Sequence, residues 1–556
     1  MKNHKIKSSF WLIVAVAVVA LGLVVAGCGS DKGGSNSTTD QGTPKPGGTY
    51  NFPVASEPLS IEPLNVQETE ANEVVHQCFE GLYKIEMQGD QGVAVPDLAE
   101  KTEMNADATV FTFTIKQGVT FAPPVSREVT AQDFVDSWNY NLDAANQSDT
   151  TYIYGPIKGI DDTGYAGPDG LDVKAIDKYT LQVTLSKPFP NFAASLSNST
   201  TFVYPVDYVK KVGRRAFFDK PVGTGPYMVK EWVHRQKITL VKNPSYWNPA
   251  NVGYVDTINM PIIIVDTAQW LEFQKGTIDF SRVPVGQVAA AKAMPEVQAG
   301  EWTAKNYPST TVYYIMITSN DKGMLSGPKN LPVRQALALA ADRDAVVNIV
   351  KEGVGIASDS IIPVTLPGYK AGLNPNPYDP AKGKQVIDEW TAANGAVPTI
   401  PYWVNADAGH EQVAEALGAG WEKNLGVKTA INGVETNSYW TQLSENKAPG
   451  IFRMGWGADY PDMANFVYLF TTEGGKYGSY SFYSNPEVDK LFTEARATAD
   501  VAAGNELYNQ AEKLIMADAP CIPLYTYRDA RINNNRIGGF NYNSFALTDM
   551  WKLWVK

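Results

Sequence analysis

The sequence predicts a mixed α/β protein of two or three domains, and three observations carry that prediction. At 556 residues the chain is too long for one hydrophobic core, and its 44% of hydrophobic residues is ordinary for a globular protein. Segments in which apolar residues alternate with polar ones indicate strands, and segments with apolar residues at helical spacing lie between them. This mixture argues against repeats, a coiled coil or an all-β sandwich.

The N-terminus has the layout of a secretory signal. Three lysines among the first seven residues precede an almost unbroken apolar run at 10–25, which is short for a spanning helix of about 20 residues. Small residues at 25–27 then stand directly before Cys28. This order resembles the bacterial lipobox, which implies removal of residues 1–27 and diacylation of Cys28. The alternative is an uncleaved anchor helix with an incidental cysteine.

Residues 28–48 predict a flexible tether. The segment consists largely of glycine, serine, threonine and charged residues, with almost nothing to bury. A flexible chain of this length spans on the order of 25 Å. Since no later apolar run is long enough to cross a bilayer, we expect a soluble folded part that is held at the membrane only through its lipid.

Composition and charge exclude several classes of function. Loss of the three signal lysines lowers the 47 basic residues to 44, against 59 acidic ones, so the processed chain has a formal net charge of −15. Nucleic-acid binding is disfavoured because it needs a basic surface. With four histidines and no metal-binding motif, we predict neither a metal site nor a cofactor. Cys78 and Cys521 could be bonded outside the cell, but their apolar neighbours favour two buried thiols.

Strand and helix signals interleave along the chain. The strands are marked by apolar residues that alternate with threonine. Pro332 in a first turn and Asn485 before Pro486 indicate helix starts, while Gly353 and Gly426 indicate helix ends. The predicted strands span 110–121, 179–185 and 237–243, and the predicted helices span 331–353, 411–426 and 485–500.

No catalytic motif is present in the sequence. It contains no GxxxxGK[ST] loop, no GxGxxG after a strand and no GxSxG elbow. The many carboxylates are scattered, so a hydrolase with non-contiguous catalytic residues stays open. The absence of any motif in so long a chain favours binding over catalysis.

Four separated stretches of the sequence carry a resemblance to a known family. They begin with SIEPLNVQETEANEVVHQCFEGLY (60–83), GTGPYMVKEWVHRQKITLVKNPSYW (223–247), VRQALALAADRDAVV (333–347) and RMGWGADYPDMANF (453–466), the last joined by CIPLYTYRDARI (521–532). Read together, they resemble the substrate-binding proteins of ABC importers, in the peptide and oligopeptide group, and they run in that family's order over nearly the whole processed chain. One departure is FAPPVSREVTAQDF (121–134), where the family usually has a short His-Asp-Gly or Ser-Asp-Gly turn, and it predicts an unusual surface loop.

The resemblance implies the fold and its division into domains. It implies an α/β clamp of two lobes, like the type II (cluster C) periplasmic binding proteins, with an additional third domain. Closure of the lobes about a hinge would bury the ligand between them. The first lobe would comprise 46–79, 222–309 and 529–556, the extra domain 80–221, the second lobe 310–528, and the hinge the crossings at 307–311 and 527–531.

The stretch RMGWGADYP (453–461) suits the capture of peptides. Peptides of any sequence share a backbone and an α-ammonium group, so a receptor for many of them should bind an extended main chain and anchor the charged end. Gly455 and Gly457 permit a close main-chain approach, and Trp456 can wall a pocket. Asp459 can accept a charge-assisted hydrogen bond from the ammonium, worth roughly 1.5–3 kcal/mol.

The resemblance assigns roles to these residues and to a distant segment. It implies that Asp459 pairs with the peptide N-terminus and that the backbone from Gly455 to Gly457 pairs with the peptide main chain. The segment from Gln67 to Thr69 would form the opposing strand, since the first stretch aligns without gaps.

The resemblance also implies a role for Arg453 and for two tyrosines. Arg453 would meet the peptide carboxylate at one ligand length, and Tyr527 would lie near the ammonium. A further tyrosine of the family has no clean match, and Tyr152 or Tyr154 is the candidate substitute.

Plainer interpretations of the same residues stay open. Asp459 or Asp462 could cap the helix that PDMANFVYLF suggests. Arg453 could form an internal ion pair with Asp459. Trp456 and Tyr527 could be ordinary core aromatics.

The sequence therefore predicts a non-enzymatic lipoprotein receptor on the extracytoplasmic face of the bacterial cell membrane. It would act as a monomer, bind oligopeptides and deliver them to the permease of an ABC transporter with cytoplasmic ATPases. The same fold could instead bind an oligosaccharide or a nickel chelate. A surface hydrolase or adhesin is the alternative from another class.

Overall fold

The structure is a computed structural model that describes residues 43–66, 68–148, 150–161, 163–406 and 409–556. The predicted signal peptide, Cys28, most of the tether and Gln67 lie outside the described residues. Within the described ranges, no helix combines the length and the apolarity that a membrane span requires.

The described chain alternates short strands and helices. The strands are β1 (Thr49–Asn51), β2 (Tyr83–Gln88), β3 (Gln91–Pro96), β4 (Ala99–Met104), β5 (Val110–Ile115), β6 (Val173–Asp177), β7 (Thr180–Thr184), β8 (Tyr227–Val233), β9 (Lys237–Lys242), β10 (Thr257–Pro261), β11 (Phe280–Arg282), β12 (Trp302–Ile317), β13 (Ile356–Ala357), β14 (Ile400–Asn405), β15 (Thr429–Val434), β16 (Ile451–Gly457), β17 (Cys521–Asn534), β18 (Ile537–Gly538) and β19 (Trp554–Val555). The α-helices are α1 (Thr69–Cys78), α2 (Ala131–Asn141), α3 (Phe192–Ser195), α4 (Val206–Val212), α5 (Arg214–Asp219), α6 (Asp266–Gln274), α7 (Val288–Lys292), α8 (Pro295–Gln298), α9 (Leu331–Leu339), α10 (Arg343–Ala345), α11 (Pro380–Asn394), α12 (His410–Leu425), α13 (Thr436–Ser444), α14 (Ala464–Val467), α15 (Thr472–Tyr477), α16 (Pro486–Ala497) and α17 (Val501–Asp518).

One large mixed sheet organises the molecule. Its seven strands run in the order β11-β17-β12-β16-β14-β15, with β13 beside β17. At 16 and 14 residues, β12 and β17 are much longer than the usual strand of about 5–6 residues, and they pair antiparallel along most of their length. The register between them breaks between Pro308 and Val312, where β12 holds extra residues opposite β17. Such a bulge bends a strand and increases its twist.

The remaining strands form smaller sheets, separate from the large one. A four-stranded sheet has the order β1-β10-β9-β8, in which only β1 and β10 pair in parallel. A second, fully antiparallel sheet has the order β4-β5-β7-β6. Hairpin β2-β3 and the pair β18-β19 complete the strand pairing among the described residues.

The hydrophobic cores lie on either side of the bulge in β12. One large core draws its buried residues from 50–307 and 537–553, and a smaller one from 270–304 and Ile532. Two further cores cover the opposite faces of the long sheet: the even-numbered residues 312, 314 and 316 of β12 belong to one, and the odd-numbered residues 313, 315 and 317 to the other. Separate cores joined by two long strands are the organisation of a two-lobed α/β clamp.

The predicted elements differ from the observed ones where a local turn signal was overlooked. The predicted strand 110–121 ends at Ile115, because Gly118 turns the chain with a positive φ of 78°. The predicted helix 331–353 divides into α9, α10 and a π-helical turn at Val346–Val350. Asp342 causes this division, since its side chain accepts a hydrogen bond from the N–H of Ala345 and starts a new helix.

Other predictions from the sequence are confirmed. Helix α12 ends before Gly426, which adopts the left-handed conformation with φ 74°, and α16 begins with Asn485 accepting from the N–H of Glu487. Cys78 and Cys521 are both buried and unbonded, and they belong to different cores.

The position of α1 depends on two glycines. The N–H of Gly225 donates to the carbonyl of Cys78 at 3.0 Å, at the end of α1. A Cβ atom at Gly225 would lie 2.5 Å from the carbonyl oxygen of Gln77, and one at Gly223 would lie 2.2 Å from that of Cys78. Because these contacts are with backbone atoms, only glycine at positions 223 and 225 allows this segment to pack against the end of α1.

We predict that Gly225→Ala lowers the free energy of unfolding by about 1–3 kcal/mol, because the added methyl group overpacks a rigid backbone contact. Chemical denaturation measures the change. Gly420→Ala is the matched control: it lies within α12, a Cβ there meets no atom within 4 Å, and alanine should stabilise the helix by about 0.5–1 kcal/mol. Equal effects of the two substitutions would contradict the packing argument.

Candidate ligand-binding cavity

A cavity of about 450 Å³ lies between segments from both sides of the β12 bulge. Volumes of this size are typical of ligand sites in proteins. Its walls come from α1 (Thr69, Asn72 and His76), from Lys84 and Ile85, from Tyr152, from the segments 197–200, 309–311 and 545–547 with Phe202, and from the end of β16 with the residues that follow it (455–459).

The end of β16 presents a free edge to this cavity. β16 pairs with β12 over its whole length, from Ile451 to Gly457. On its other side, β14 pairs with it only at Ile451 and Phe452. From residue 453 onward, therefore, no strand of the described chain covers the second edge of β16. Uncovered main-chain N–H and C=O groups of this kind accept an added strand.

Two glycines keep one face of this strand flat. Residues 453, 455 and 457 point to the same face, because side chains alternate along a strand. A Cβ atom at Gly455 would lie 3.2 Å from Nη2 of Arg453, and one at Gly457 would lie 3.0 Å from Oγ1 of Thr311. A Cβ atom at either position would therefore crowd a side chain of the protein itself, so both positions favour glycine.

Asp459 lies at the end of the free edge, and its carboxylate is held by neutral donors. The hydroxyl of Tyr152 donates to Oδ1 at 3.1 Å, and the amide of Asn465 donates to Oδ2 at 2.8 Å. The side-chain amide of Asn198 donates to the backbone carbonyl of Asp459 at 3.0 Å. No lysine, arginine or histidine of the described chain forms an ion pair with this carboxylate.

The electrostatics of Asp459 follow from this set of partners. Burial raises the pKa of Asp459 above its usual range, and the hydrogen bonds from Asn465 and Tyr152 offset only part of that shift. A cation in the cavity would favour the ionised form. The carboxylate of Asp459 is therefore hydrogen-bonded but lacks a positive partner, as expected of a binding site for a cationic group.

The other charged groups on the cavity wall are already neutralised within the protein. Nε2 of His76 lies 3.0 Å from Oδ1 of Asp549. Although burial opposes it, His76 and Lys552 lower the pKa of Asp549 to about 2. The ammonium of Lys84 lies within 3.5 Å of carboxylates on both Glu86 and Asp97. Asp459 is thus the cavity charge that has no counterion among the described residues.

The structure distinguishes Asp459 from the neighbouring carboxylate. Oδ1 of Asp462 accepts from the N–H of Ala464 at 2.6 Å, so Asp462 serves the start of α14. Asp462 is also bound by the amide of Asn191. The helix-capping role considered for either residue therefore belongs to Asp462.

Arg453 does not pair with Asp459. Its guanidinium donates to the hydroxyl of Tyr527 at 3.3 Å and lies 5.2 Å from the centre of the Tyr313 ring. Its Nε has no hydrogen-bond partner among the described groups and is buried. Lys351 is nearby, and burial together with the charge of Arg453 lowers the pKa of Lys351. Two cations thus lie together beside the strand without a contacting carboxylate in the described chain.

Most of the predicted site residues come together in the cavity. Thr69, Tyr152, Gly455, Trp456, Gly457 and Asp459 line it. Arg453 and Tyr527 contact each other directly behind this surface and do not line it. Gln67 lies outside the described residues, so its predicted contact stays a prediction.

Tyr154 is placed away from the cavity, which corrects the sequence-based suggestion for that residue. Its ring is 1% exposed and packs edge-to-face against Trp138, and its hydroxyl donates to the carbonyl of Thr200 at 2.7 Å. Tyr152, two residues earlier, is 57% exposed and reaches Asp459. In this short helical turn, residues two apart point in opposite directions, which is why only one of the two tyrosines can serve.

Sequence reasoning missed two amides at the site. Asn198 and Asn465 hold the backbone and the side chain of Asp459, respectively. Asn465 also accepts from Nε1 of Trp456 at 2.8 Å, so Trp456 is both a wall of the cavity and a neighbour of the core. Asn465 stands in the quoted stretch, six residues after Asp459, but nothing in the spacing marks it.

Among the described residues, the cavity shows neither a cluster suited to a metal ion nor a hydroxyl group bonded to a histidine. No group of three His, Cys, Asp or Glu side chains suited to a metal ion occurs in the described ranges. His76 faces the cavity with an aspartate behind it, but no serine or threonine hydroxyl of the described chain donates to its ring.

The fold and the cavity together define a class of protein: a clamp that receives a solute between two lobes. Residues 93–478 match the family of bacterial extracellular solute-binding proteins, family 5. The chain therefore belongs to that family.

Individual relatives resemble the chain along nearly its full length. The oligopeptide-binding protein OppA of Bacillus subtilis is 29% identical over 546 residues, which cover 95% of this chain and 96% of that protein. Heme-binding protein A of Haemophilus influenzae is 28% identical, with 92% and 93% covered. The structure of the Escherichia coli murein tripeptide binding protein MppA has a TM-score of 0.71 at 25% identity and covers 91% of this chain and 98% of that one.

Proposed function

We propose that the protein captures peptides that have a free N-terminal amine, holds them extended between its two lobes and delivers them to the permease of an ABC transporter. The observation that carries this proposal is the carboxylate of Asp459, which faces the cavity with neutral donors and no counterion among the described residues. No bond of the ligand is broken, and the partner ATPases supply the energy of transport.

The charge of Asp459 selects for a cationic group. An enclosed carboxylate is costly unless it is hydrogen-bonded and paired. The α-ammonium of a peptide supplies the missing positive charge and up to three N–H donors, and each charge-assisted bond is stronger than a neutral one. Since every peptide with a free N-terminus has this group, the contact selects the class of ligand and not its sequence.

The backbone of the ligand would bind to the free edge of β16. On the edge of β16 that faces away from β12, the main chain beyond residue 453 has no strand neighbour among the described residues, and Gly455 and Gly457 bring no side chain to this stretch. Strand addition of this type gives affinity that does not depend on side chains. Thr69 also lines the cavity, and we propose, as the resemblance implies, that the segment from Gln67 to Thr69 lies along the other side of the ligand.

The carboxylate end of a ligand would approach Arg453, whose guanidinium lies next to Gly455 of the cavity wall although it does not itself line the cavity. Arg453 and Lys351 lie near each other, and six residues separate Arg453 from Asp459 along the chain. An extended chain advances about 3.3 Å per residue. Because the arginine side chain shortens the remaining distance, a peptide of a few residues would reach from Asp459 to the guanidinium of Arg453. Tyr527 supports Arg453 and does not contact the ammonium in this arrangement.

The lobes that close on the ligand would be those implied by the resemblance. We propose 46–79, 222–309 and 529–556 for the first lobe, 80–221 for the domain inserted in it and 310–528 for the second. The β12 bulge between Pro308 and Val312 supports a hinge at 307–311, with 527–531 beside it on β17.

The signal layout supports a lipid anchor. We propose that Cys28 carries the diacyl group, that the following tether links it to the fold, and that the protein acts as a monomer on the extracytoplasmic face of the membrane. The relatives are described as extracellular or periplasmic binding proteins, in agreement with export.

We predict that Asp459→Asn weakens the binding of a free-amine peptide by about tenfold or more, because the amide cannot supply the negative charge. The same substitution should leave the affinity of the N-acetylated peptide nearly unchanged. Isothermal titration calorimetry with the matched pair of peptides measures both. Equal losses for the two peptides, or no loss at all, would contradict the role of Asp459 as an ammonium anchor.

The same experiment separates the alternative functions. An oligosaccharide or a nickel chelate has no N-terminal amine, so neither would show a selective effect of Asp459→Asn. Heme, for which one relative is named, likewise lacks such an amine. If mass spectrometry found the bound peptide cleaved after incubation, the protein would be a hydrolase and not a receptor.

We predict that Gly457→Val weakens the binding of free-amine and N-acetylated peptides alike, because the new side chain crowds the end of β16, to whose free edge the ligand backbone would bind. Gly457 is exposed and its φ is not positive, and the Thr311 hydroxyl, 3.0 Å from an added Cβ, can rotate away, so we expect only a small fall in the unfolding temperature. Calorimetry and thermal unfolding measure the two effects. A selective loss for one peptide of the pair would contradict main-chain binding at β16.

We predict that Cys28→Ser moves the full-length protein from the detergent phase to the aqueous phase on Triton X-114 partition, because serine offers no thiol for the lipid. The unaltered protein expressed in the same bacterium is the control. A variant that remained in the detergent phase would point to the uncleaved anchor helix.

A further inference from the structure

A single amide connects the main features of the ammonium site. The Nδ2 group of Asn465 donates to Oδ2 of Asp459 at 2.8 Å. Its Oδ1 accepts from Nε1 of Trp456 at 2.8 Å and from the backbone N–H of Asp459 at 3.2 Å. The side chain is 8% exposed, so these bonds are formed away from bulk water.

The start of α14 does not explain this arrangement. Asn465 lies in α14, but the backbone N–H at the start of that helix is bound by Asp462. The amide of Asn465 instead points back to the loop after β16. An amide offers a donor and an acceptor on one rigid plane, and this site uses both, since a carboxylate needs the donor while an indole and an N–H need the acceptor.

We propose that Asn465 is a positioning residue for ligand recognition: it holds the carboxylate of Asp459 and the ring of Trp456 in the orientation that receives an ammonium group. This proposal rests on the proposed function. With Asn465 on Oδ2 and Tyr152 on Oδ1, each carboxylate oxygen is held by one neutral donor, which fixes the orientation of a side chain that lines the cavity. The same amide keeps Trp456 against the cavity wall.

The groups around Asp459 make its ionisation sensitive to Asn465. Tyr152 faces it from the opposite wall, and Tyr460 and Asp462 follow it in the chain, with Arg496 near Asp462. Burial raises the pKa of Asp459, while the bond from Asn465 is the larger of the two hydrogen bonds that lower it. Loss of that bond raises the pKa further, so the ionised carboxylate that an ammonium requires is lost at a higher pH.

The test compares Asn465→Leu with the unaltered protein, using a free-amine peptide and its N-acetylated form at several pH values. Leucine has a similar size but neither a donor nor an acceptor. We expect the free-amine peptide to bind about tenfold more weakly at neutral pH. Its affinity should also begin to fall at a higher pH as the solution is acidified, while the affinity of the N-acetylated peptide stays the same.

A second variant guards against loss of the fold. Asn465→Ser leaves a hydroxyl group and space for a water molecule, so the groups released by the amide can still be hydrogen-bonded. We expect a change in the same direction with a smaller amplitude. Unchanged selectivity in both variants, or an equal loss for both peptides, would overturn the proposal.

The combination with Asp459→Asn separates failure of this inference from failure of the proposed function. If Asn465 acts through Asp459, adding Asn465→Leu to Asp459→Asn should cause no further loss of preference for the free amine. A normal effect of Asp459→Asn with no selective effect of Asn465→Leu would overturn the role of Asn465 alone. An absence of any effect of Asp459→Asn would overturn the ammonium anchor itself.

Discussion

The cavity depends on one electrostatic constraint, an enclosed carboxylate without a counterion. Around Asp459 the protein supplies two hydrogen bonds to the side chain and one to the backbone, all from neutral groups. The basic side chains that line the same space contact internal acids: His76 contacts Asp549, and Lys84 contacts Glu86 and Asp97. Asp459 therefore remains a negative charge on the cavity wall without a positive partner, and this charge favours a ligand that has a positive group.

The fold places this charge where a peptide backbone can use it. β16 is paired on one side by β12 and is open on the other beyond residue 453, and Asp459 follows directly after it. A ligand that adds to this edge brings its terminus to the carboxylate without any further contact. Because Gly455 and Gly457 bring no side chains of their own to this edge, guests with different side chains would share this geometry.

Local sequence was enough to predict most of the residues that line the cavity but not the residues that support them. The two glycines, Trp456 and Asp459 stand in one short stretch, and their roles follow from spacing and resemblance. Asn198, Tyr152 and Asn465 reach Asp459 only after the chain has folded, since the first two are more than 250 residues away from it. The same spacing also allowed an ion pair between Arg453 and Asp459, but the guanidinium of Arg453 contacts Tyr527 and Tyr313 instead. Periodicity also merged α9 with α10, where one capping aspartate outweighs a continuous apolar pattern.

The hydrogen bond between Tyr152 and Asp459 joins residues 307 positions apart. Tyr152 belongs to the part proposed as an inserted domain and Asp459 to the part proposed as the second lobe, so separation of these parts breaks the bond. Water can then reach the carboxylate of Asp459, and solvation would weaken its hydrogen bond to the amine of a ligand. Under the proposed function, a transporter that separates these two parts would therefore weaken ligand binding by the same movement.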